Sequence, residues 1–137
     1  MIVRPAEAGD HAAIRAVLLA AFPGTDEADL VEQLRADGDA PIELVGELDG
    51  RVVGHILFSP VKAPFRALAL APLAVAPDEQ RGGIGSELIR AGHELARKQG
   101  WEAVFVLGDP AYYGRFGYDA ELAAGFSSPY AGEYSWL

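Results

Sequence analysis

The chain has 137 residues, of which half are hydrophobic and 23% are charged, and this balance is typical of a folded domain rather than a disordered segment. Such a length supports one core, so we expect a single domain over residues 1–137. No apolar run approaches the roughly 20 residues of a membrane span, and the first residues lack the pattern of a secretory signal. The absence of cysteine excludes disulfides and thiolate chemistry. These features fit a cytoplasmic protein.

The formal net charge of −9 argues against general affinity for nucleic acid. The charge is uneven, because residues 1–50 contain 11 acidic and 3 basic side chains. A solvated acidic surface is one explanation of this excess. The alternative is an acidic rim that favours a cationic substrate such as an amine.

The first forty residues predict a short edge strand followed by two helices. Asp10 is a suitable N-cap for a helix that runs to about Ala21, and a Pro-Gly pair ends it. In the second helix we expect Leu30, Val31 and Leu34 to face the core.

The next pattern is a hairpin. Residues 42–48 and 52–58 read as strands on either side of Asp49-Gly50, the dipeptide typical of a two-residue turn. We therefore expect these two strands to pair antiparallel.

Residues 67–76 form an almost continuous apolar run, which favours a strand buried on both faces in the middle of a sheet. Pro72 interrupts it and removes one backbone donor. We expect either a bulge there or the end of pairing with a neighbouring strand.

The second half continues with helix, strand and short helix. From Gly83 the pattern is strongly helical up to a Gly100 cap, residues 103–107 read as a buried strand, and Asp109-Pro110 starts a short helix. After Ala120 the sequence allows little assignment. This order predicts an α/β fold with a mixed sheet flanked by helices on both faces. The inward stripe of the long helix comprises Ile84, Leu88, Ala91 and Leu95.

The most informative stretch is Gln80–Ser86, which reads QRGGIGS and opens the long helix. Glycines at a helix N-terminus leave main-chain N–H groups uncovered, and such a turn can hold a phosphate. The stretch fails the P-loop pattern because no Lys-Ser/Thr follows the glycines. It also fails the dinucleotide fingerprint, because no third glycine follows in the register of G-x-G-x-x-G. A glycine-rich turn without any ligand stays possible from these residues alone. Arg81 favours a pyrophosphate.

Two motifs together resemble a known family. Val75-Ala76-Pro77 followed by Gln80-x-x-Gly83-x-Gly85 resembles the coenzyme A pyrophosphate loop of GNAT-type N-acetyltransferases. The segment VLGDPAYYGRFGY, from Val106 to Tyr118, is similar to the YhbS-like branch of that superfamily.

The resemblance implies a GNAT acyl-CoA N-acyltransferase fold and acetyl transfer from acetyl-CoA to an amine. Main-chain groups of Leu73 and Val75 would bind the pantetheine arm and polarise the acetyl carbonyl, and the glycine turn would hold the pyrophosphate. Tyr113 matches the tyrosine that protonates the departing thiolate, and Tyr112 is the neighbour that could substitute. The cofactor-binding set is then Leu73, Ala74, Val75, Gln80, Arg81, Gly82, Gly83, Ile84, Gly85 and Ser86.

The general base is left open by the sequence. Glu27 and Glu32 lie on the second helix, which borders the acceptor cleft in this family. Glu43 and Glu47 are expected to be solvated. His55 and His93 are expected to be structural residues, and the scattered histidines predict no metal site, so that catalysis would need no metal.

The acceptor would be a small-molecule or aminoacyl amine, selected in part by the loop around residues 22–26, and a homodimer is possible. The resemblance also implies further strands at the C-terminal end, and the sequence reaches Leu137 where such a strand would begin. We therefore expect the C-terminal strands to be truncated. The alternatives to an acetyltransferase are a catalytically inactive acyl-CoA-binding module and a structural domain that merely contains a glycine-rich turn.

Overall fold

A computed structural model describes residues 1–107, 110–117 and 133–136. In these ranges, four helices and five strands follow one another in the predicted order, and a sixth strand follows the last helix. Asp109, predicted to start the last helix, and the tail after Ala120 up to residue 132 lie outside the described residues. The strands are β1 Ile2–Pro5, β2 Ile42–Leu48, β3 Arg51–Val61, β4 Ala67–Val75, β5 Ala103–Leu107 and β6 Glu133–Trp136, and the helices are α1 His11–Ala21, α2 Asp26–Ala36, α3 Ile84–Lys98 and α4 Pro110–Tyr113.

The six strands form one sheet in the order β1-β2-β3-β4-β5-β6. Only β4 and β5 pair parallel among these strands, because α3 connects them, whereas the other neighbours pair antiparallel. The β2–β3 turn has positive φ at both Asp49 and Gly50, as a type I′ hairpin requires. The predicted mixed sheet and hairpin are confirmed.

Helices cover both faces of the sheet. On one face α1 and α2 bury Ile14, Leu18 and Val31 against β2, β3 and β4. On the other face α3 buries Leu88 and Ile89 in a larger core that also includes Phe116. Hydrophobic surface is thereby removed from water on both sides of the sheet, which is the main stabilising term of such a layered fold.

Two glycines allow α3 to lie close to the sheet. A Cβ on Gly54 of β3 would be 2.8 Å from Ile84, and a Cβ on Gly92 of α3 would overlap the ring of Phe58. The long helix therefore has little freedom to shift along the sheet. The position of its N-terminus relative to β4 is fixed by this packing.

The region around Pro72 shows both the expected bulge and the end of pairing with a neighbouring strand. The β3–β4 register shifts between Ile56 and Phe58, opposite Pro72, so a bulge is present. Parallel pairing of β4 with β5 covers only Ala67–Leu70, whereas β4 continues to Val75. The two central strands therefore separate beyond Leu70.

Two expectations were wrong. Leu30 is 43% exposed, because the buried face of α2 is formed by Ala28 and Val31 and lies about one residue further round the helix. The expected start of a C-terminal strand at Leu137 was also wrong, because β6 begins at Glu133 and pairs antiparallel with β5 over its whole length. In the part of the chain that the structure describes, no helix is long and apolar enough to cross a membrane.

Candidate functional site

The site starts at the end of β4, where backbone groups face a gap in the sheet. The amide of Ala76 donates to the carbonyl of Val53 over 2.8 Å, so Val75 and Gly54 form a non-hydrogen-bonded pair. By the alternation of an antiparallel ladder, the N–H and C=O groups of Val75 and Leu73 point away from β3. They face the side on which β5 has already ended its pairing.

Gln80 is tied to this strand end. Its side-chain amide donates to the carbonyl of Val75 over 3.2 Å. The first residue of the glycine turn thus occupies one acceptor at the end of β4, while the backbone groups of Leu73 stay directed into the gap. Ala74 lies between them and packs on the opposite face, against α1 and α2.

The glycine turn has the backbone shape expected of an anion site. Gly83, the N-cap of α3, is left-handed with φ of 85°, and Arg81 is also left-handed with φ of 71°, which is uncommon for a residue with a side chain. No side chain of the described residues caps α3. The amides that open the helix are therefore available, and the helix dipole adds positive potential there.

A tyrosine closes the gap from the other side. A Cβ on Gly85, in the first turn of α3, would lie 2.8 Å from the hydroxyl of Tyr112 and within 3.9 Å of side-chain atoms of Val75 and Leu73. The hydroxyl of Tyr112 thus sits where the end of β4 meets the start of α3. This contact was not foreseen, because a glycine gives no sequence signal about the residue that covers it.

Tyr113 lies edge-on to Tyr112, with ring centroids 5.0 Å apart. Burial, together with the neighbouring Tyr112, raises the pKa of Tyr113 to about 12. At neutral pH its hydroxyl therefore holds its proton more firmly than a free phenol does. Tyr112 is thus at the gap, whereas Tyr113 is its partly buried neighbour.

The acidic residues of α2 divide into paired and unpaired groups. Glu32 and Asp29 are exposed and form ion pairs with Arg15, at 3.0 and 3.2 Å. Glu27 turns to the inner side, and its Oε1 atom is buried without a hydrogen-bond partner among the described residues. Its neighbour Ala28 packs in the same cluster as Ala74 of β4. A buried carboxylate oxygen without a partner is uncommon and deserves a chemical explanation.

Glu43 was predicted to be solvated, but its carboxylate is instead bound by two neighbouring side chains. Arg35 of α2 donates to both of its oxygens, and His55 contacts its Oε2 atom at 2.8 Å. Burial alone would raise the pKa of Glu43, but the hydrogen bonds from His55 and Arg35 outweigh it and lower the pKa to about 2. This buried triad ties the end of α2 to the sheet.

His55 and His93, which were predicted to be structural residues, are both buried. His55 is fully buried beside Glu43, and His93 packs edge-on to Phe58, with ring centroids 6.5 Å apart. Glu47 is bound by Arg4 at 3.0 Å. Within the described ranges, no group of three histidine, aspartate or glutamate side chains is arranged to hold a metal ion.

Comparison with known proteins decides the family. The profile of the Acetyltransferase (GNAT) family matches residues 11–118. The chain belongs to the GNAT family. Its recognition from the glycine turn and the tyrosine segment is therefore confirmed.

Sequence relatives and solved structures both support the assignment of this domain to the GNAT family. It is 40% identical to the uncharacterized N-acetyltransferase YjhQ of Escherichia coli, over 88% of this chain and 71% of YjhQ. The crystal structure of YhbS from Escherichia coli in complex with CoA matches with a TM-score of 0.92 and 32% identity, over 98% of this chain and 79% of that one. A GNAT acetyltransferase from Brucella melitensis in complex with acetyl-CoA matches with a TM-score of 0.85 and 33% identity, over 99% and 86% of the two chains. The expected GNAT fold is thereby confirmed.

Proposed function

We propose that this GNAT domain is an acetyl-CoA-dependent N-acetyltransferase that acetylates an amine by direct attack on the thioester. The observation that carries the proposal is the gap beyond Leu70, into which backbone groups of Leu73 and Val75 point beside the uncapped N-terminus of α3. Two structural neighbours are complexed with CoA or acetyl-CoA, which supports the same cofactor here.

The residues of the gap fit this cofactor. A pyrophosphate needs several N–H donors and positive potential, and the turn from Gln80 to Ser86 offers both at the start of α3. A pantetheine arm carries amide groups, which would pair with the outward-facing backbone of β4 as a neighbouring strand does. Acetyl-CoA supplies an acetyl group activated as a thioester.

The chemical step needs three contributions from the protein. An acceptor that arrives as an ammonium first loses a proton to solvent water. The amine nitrogen then attacks the carbonyl carbon, the C–S bond breaks, the thiolate takes a proton and the new amide nitrogen loses its proton to solvent. Main-chain N–H groups at Leu73 and Val75 would stabilise the negative charge that develops on the carbonyl oxygen. Positioning of the amine beside the thioester supplies a further large share of the rate enhancement.

A tyrosine hydroxyl would donate the proton to the thiolate. The family resemblance assigns this role to Tyr113, whereas two observations favour Tyr112. The hydroxyl of Tyr112 lies between Gly85 and the end of β4, and the pKa of Tyr113, raised to about 12, makes it a weaker acid.

Glu27 is the candidate for the acceptor end of the site. Its buried and unpartnered Oε1 atom would gain most from an ammonium group, because a buried carboxylate is stabilised by a paired cation. The acidic first 50 residues of the chain would favour the approach of such a cation. The amine acceptor, whether a small molecule or an aminoacyl group, is thus proposed to enter from the side of α2.

A thiol-release assay with acetyl-CoA and a panel of amines tests the proposal. We expect turnover with at least one primary amine, and acetylated product of the corresponding mass. Tight binding of acetyl-CoA without turnover of any amine would instead support an inactive acyl-CoA-binding module. A failure to bind acetyl-CoA at all would refute both functions.

A further inference from the structure

A concavity of about 400 Å³ lies along one side of α3, at residues C-terminal to the glycine turn. Its other wall is the turn Gly114–Phe116 that follows α4. We call it the arginine pocket, after three of the side chains that line it. Its lining residues are Arg90, His93, Glu94, Arg97, Arg115 and Phe116.

The arginine pocket is positive in a strongly acidic protein. Three arginines and one glutamate line it, whereas the whole chain has a net charge of −9. Glu94 lies 3.6 Å from Lys98, which offsets part of its charge. Burial, helped by Arg97, lowers the pKa of His93 to about 4, so this imidazole is neutral at neutral pH and adds no charge of its own.

Two of the arginines are placed by an aromatic ring rather than by a carboxylate. Arg90 and Arg115 lie over the ring of Phe116, at 5.2 and 5.6 Å from its centroid. Other arginines of the described chain form ion pairs at 2.7 to 3.3 Å with acidic side chains, whereas no such pair involves these two in the same ranges. The ion-paired arginines are Arg4, Arg15, Arg35 and Arg51.

A cation–π contact has a consequence for binding. It attracts a guanidinium to the face of a ring without using its N–H donors. Two such guanidinium groups line one concavity, and a phosphate group accepts bidentate hydrogen bonds from groups of this kind. The volume exceeds what one phosphate fills and lies within the range of small-ligand sites.

We infer that the arginine pocket binds a phosphate monoester attached to a nucleoside. The pocket adjoins the gap through Tyr112, whose ring lies 5.5 Å from that of Phe116 and whose hydroxyl covers Gly85. One source of such a group is coenzyme A, which carries a 3′-phosphate on its adenosine, and in that case the inference rests on the proposed function. The other source is a free phosphorylated nucleoside.

Isothermal titration with two matched ligand pairs distinguishes these sources. The first pair is coenzyme A and 3′-dephospho-coenzyme A, and the second is adenosine 3′,5′-bisphosphate and adenosine, titrated with and without saturating dephospho-coenzyme A. The variants are Arg90→Gln and Arg115→Gln, both at exposed positions. Arg15→Gln is the matched control, because it makes the same charge change on the opposite face of the sheet.

If the cofactor supplies the phosphate, the wild type prefers coenzyme A over its dephospho form by about tenfold, a typical value for one charged contact. Arg90→Gln and Arg115→Gln then abolish the preference without changing dephospho-coenzyme A affinity. If a free nucleotide is the ligand, the bisphosphate binds in the presence of dephospho-coenzyme A and the same variants remove that binding.

The inference is overturned if both variants bind every ligand as the wild type and the control do. That result would leave the proposed function intact when coenzyme A still binds and turnover persists. Conversely, arginine-dependent bisphosphate binding without any coenzyme A binding would support the pocket and refute the proposed function. Thermal unfolding of each variant checks that the fold is retained.

Discussion

A Cβ atom on Gly85 would lie 2.8 Å from the hydroxyl oxygen of Tyr112. We therefore expect Gly85→Ala to displace this hydroxyl and to lower kcat about tenfold or more. The same change should leave stability equal or higher, since alanine favours a helix by about 1 kcal/mol over glycine. Steady-state kinetics and urea unfolding measure the two effects. In the Tyr112→Phe background, which removes the hydroxyl, Gly85→Ala should have little further effect on kcat. A second loss of kcat as large as the first would contradict this explanation.

Single substitutions to phenylalanine distinguish the roles of the two tyrosines. We expect Tyr112→Phe to lower kcat by about 10- to 100-fold, at the low end of what a general acid contributes, and Tyr113→Phe to have a smaller effect. Single-turnover measurements of thiol release provide the comparison. The opposite ranking would return the acid role to Tyr113, as the family resemblance implies.

A carboxylate in the glycine turn should repel a pyrophosphate. We expect Gly83→Glu to weaken acetyl-CoA binding by at least about 100-fold, because it adds a negative charge and forces a side chain into a left-handed position. Gly38→Glu is a matched control, since Gly38 is also left-handed, its Cβ also meets open space, and it follows α2. Equal affinity of the two variants, measured by calorimetry, would show that the turn is not the anion site.

Glu27 is expected to act on the amine and not on the cofactor. Glu27→Gln should raise KM for the amine by about tenfold or more and leave KM for acetyl-CoA unchanged, because a charge-assisted contact is lost at one end of the site only. Glu32→Gln makes the same change at an exposed position bound to Arg15 and should have no such effect. Equal effects of both variants would point to the general acidity of α2 instead.

Stability should fall in acid in two overlapping windows. His93 has a lower pKa when folded, about 4 against 6.5, so the unfolded chain binds more protons and stability is lost as pH falls from 6.5 to 4. Glu43 has a folded pKa of about 2 against 4.5, so its contribution is present above pH 4.5 and is lost as pH falls towards 2.

The Glu43 contribution is on the order of 2 kcal/mol, as expected from a shift of that size after allowance for its partial exposure. Urea unfolding between pH 7 and 3 measures it. Glu43→Gln should flatten the lower window only, and His93→Phe the upper one. An unchanged slope below pH 4.5 in Glu43→Gln would show that another carboxylate, such as Asp10, dominates acid unfolding.

The parts of the fold that follow from local sequence were predicted well. The α3 helix, its glycine start and the Asp49-Gly50 turn are each specified within a few residues, since capping, helical periodicity and turn chemistry act over that distance. The GNAT resemblance rests on these same stretches.

The side-chain neighbours of His55 could not be predicted in the same way. A regular hairpin around Asp49-Gly50 would place His55 opposite Leu44, on the face of α3. The register shifts between Gly46 and Glu47, so His55 lies opposite Val45 and reaches Glu43 on the other face. One extra residue in a strand reverses the faces of all residues beyond it, and no local pattern announced it.

The candidate site was predicted as a set of residues but not as an arrangement. The sequence located the strand end, the turn and the tyrosine pair. It could not indicate which tyrosine covers Gly85, nor that Glu27 and Glu32 face different surroundings. Both facts depend on how separate elements pack together, and side-chain burial is decided at that level.

The early end of β4–β5 pairing, at Leu70, has a consequence for solubility as well as for binding. A strand edge with unused hydrogen-bonding groups normally invites another chain to add to the sheet. Here that edge is recessed in the interior of the sheet, with β3 on one side and β5 leading away on the other. We expect such a slot to admit a narrow, flexible molecule more readily than a second protein strand, which carries side chains on both faces. If acetyl-CoA binds there as proposed, the same recess would expose backbone groups to a small ligand while limiting the addition of another chain to the sheet.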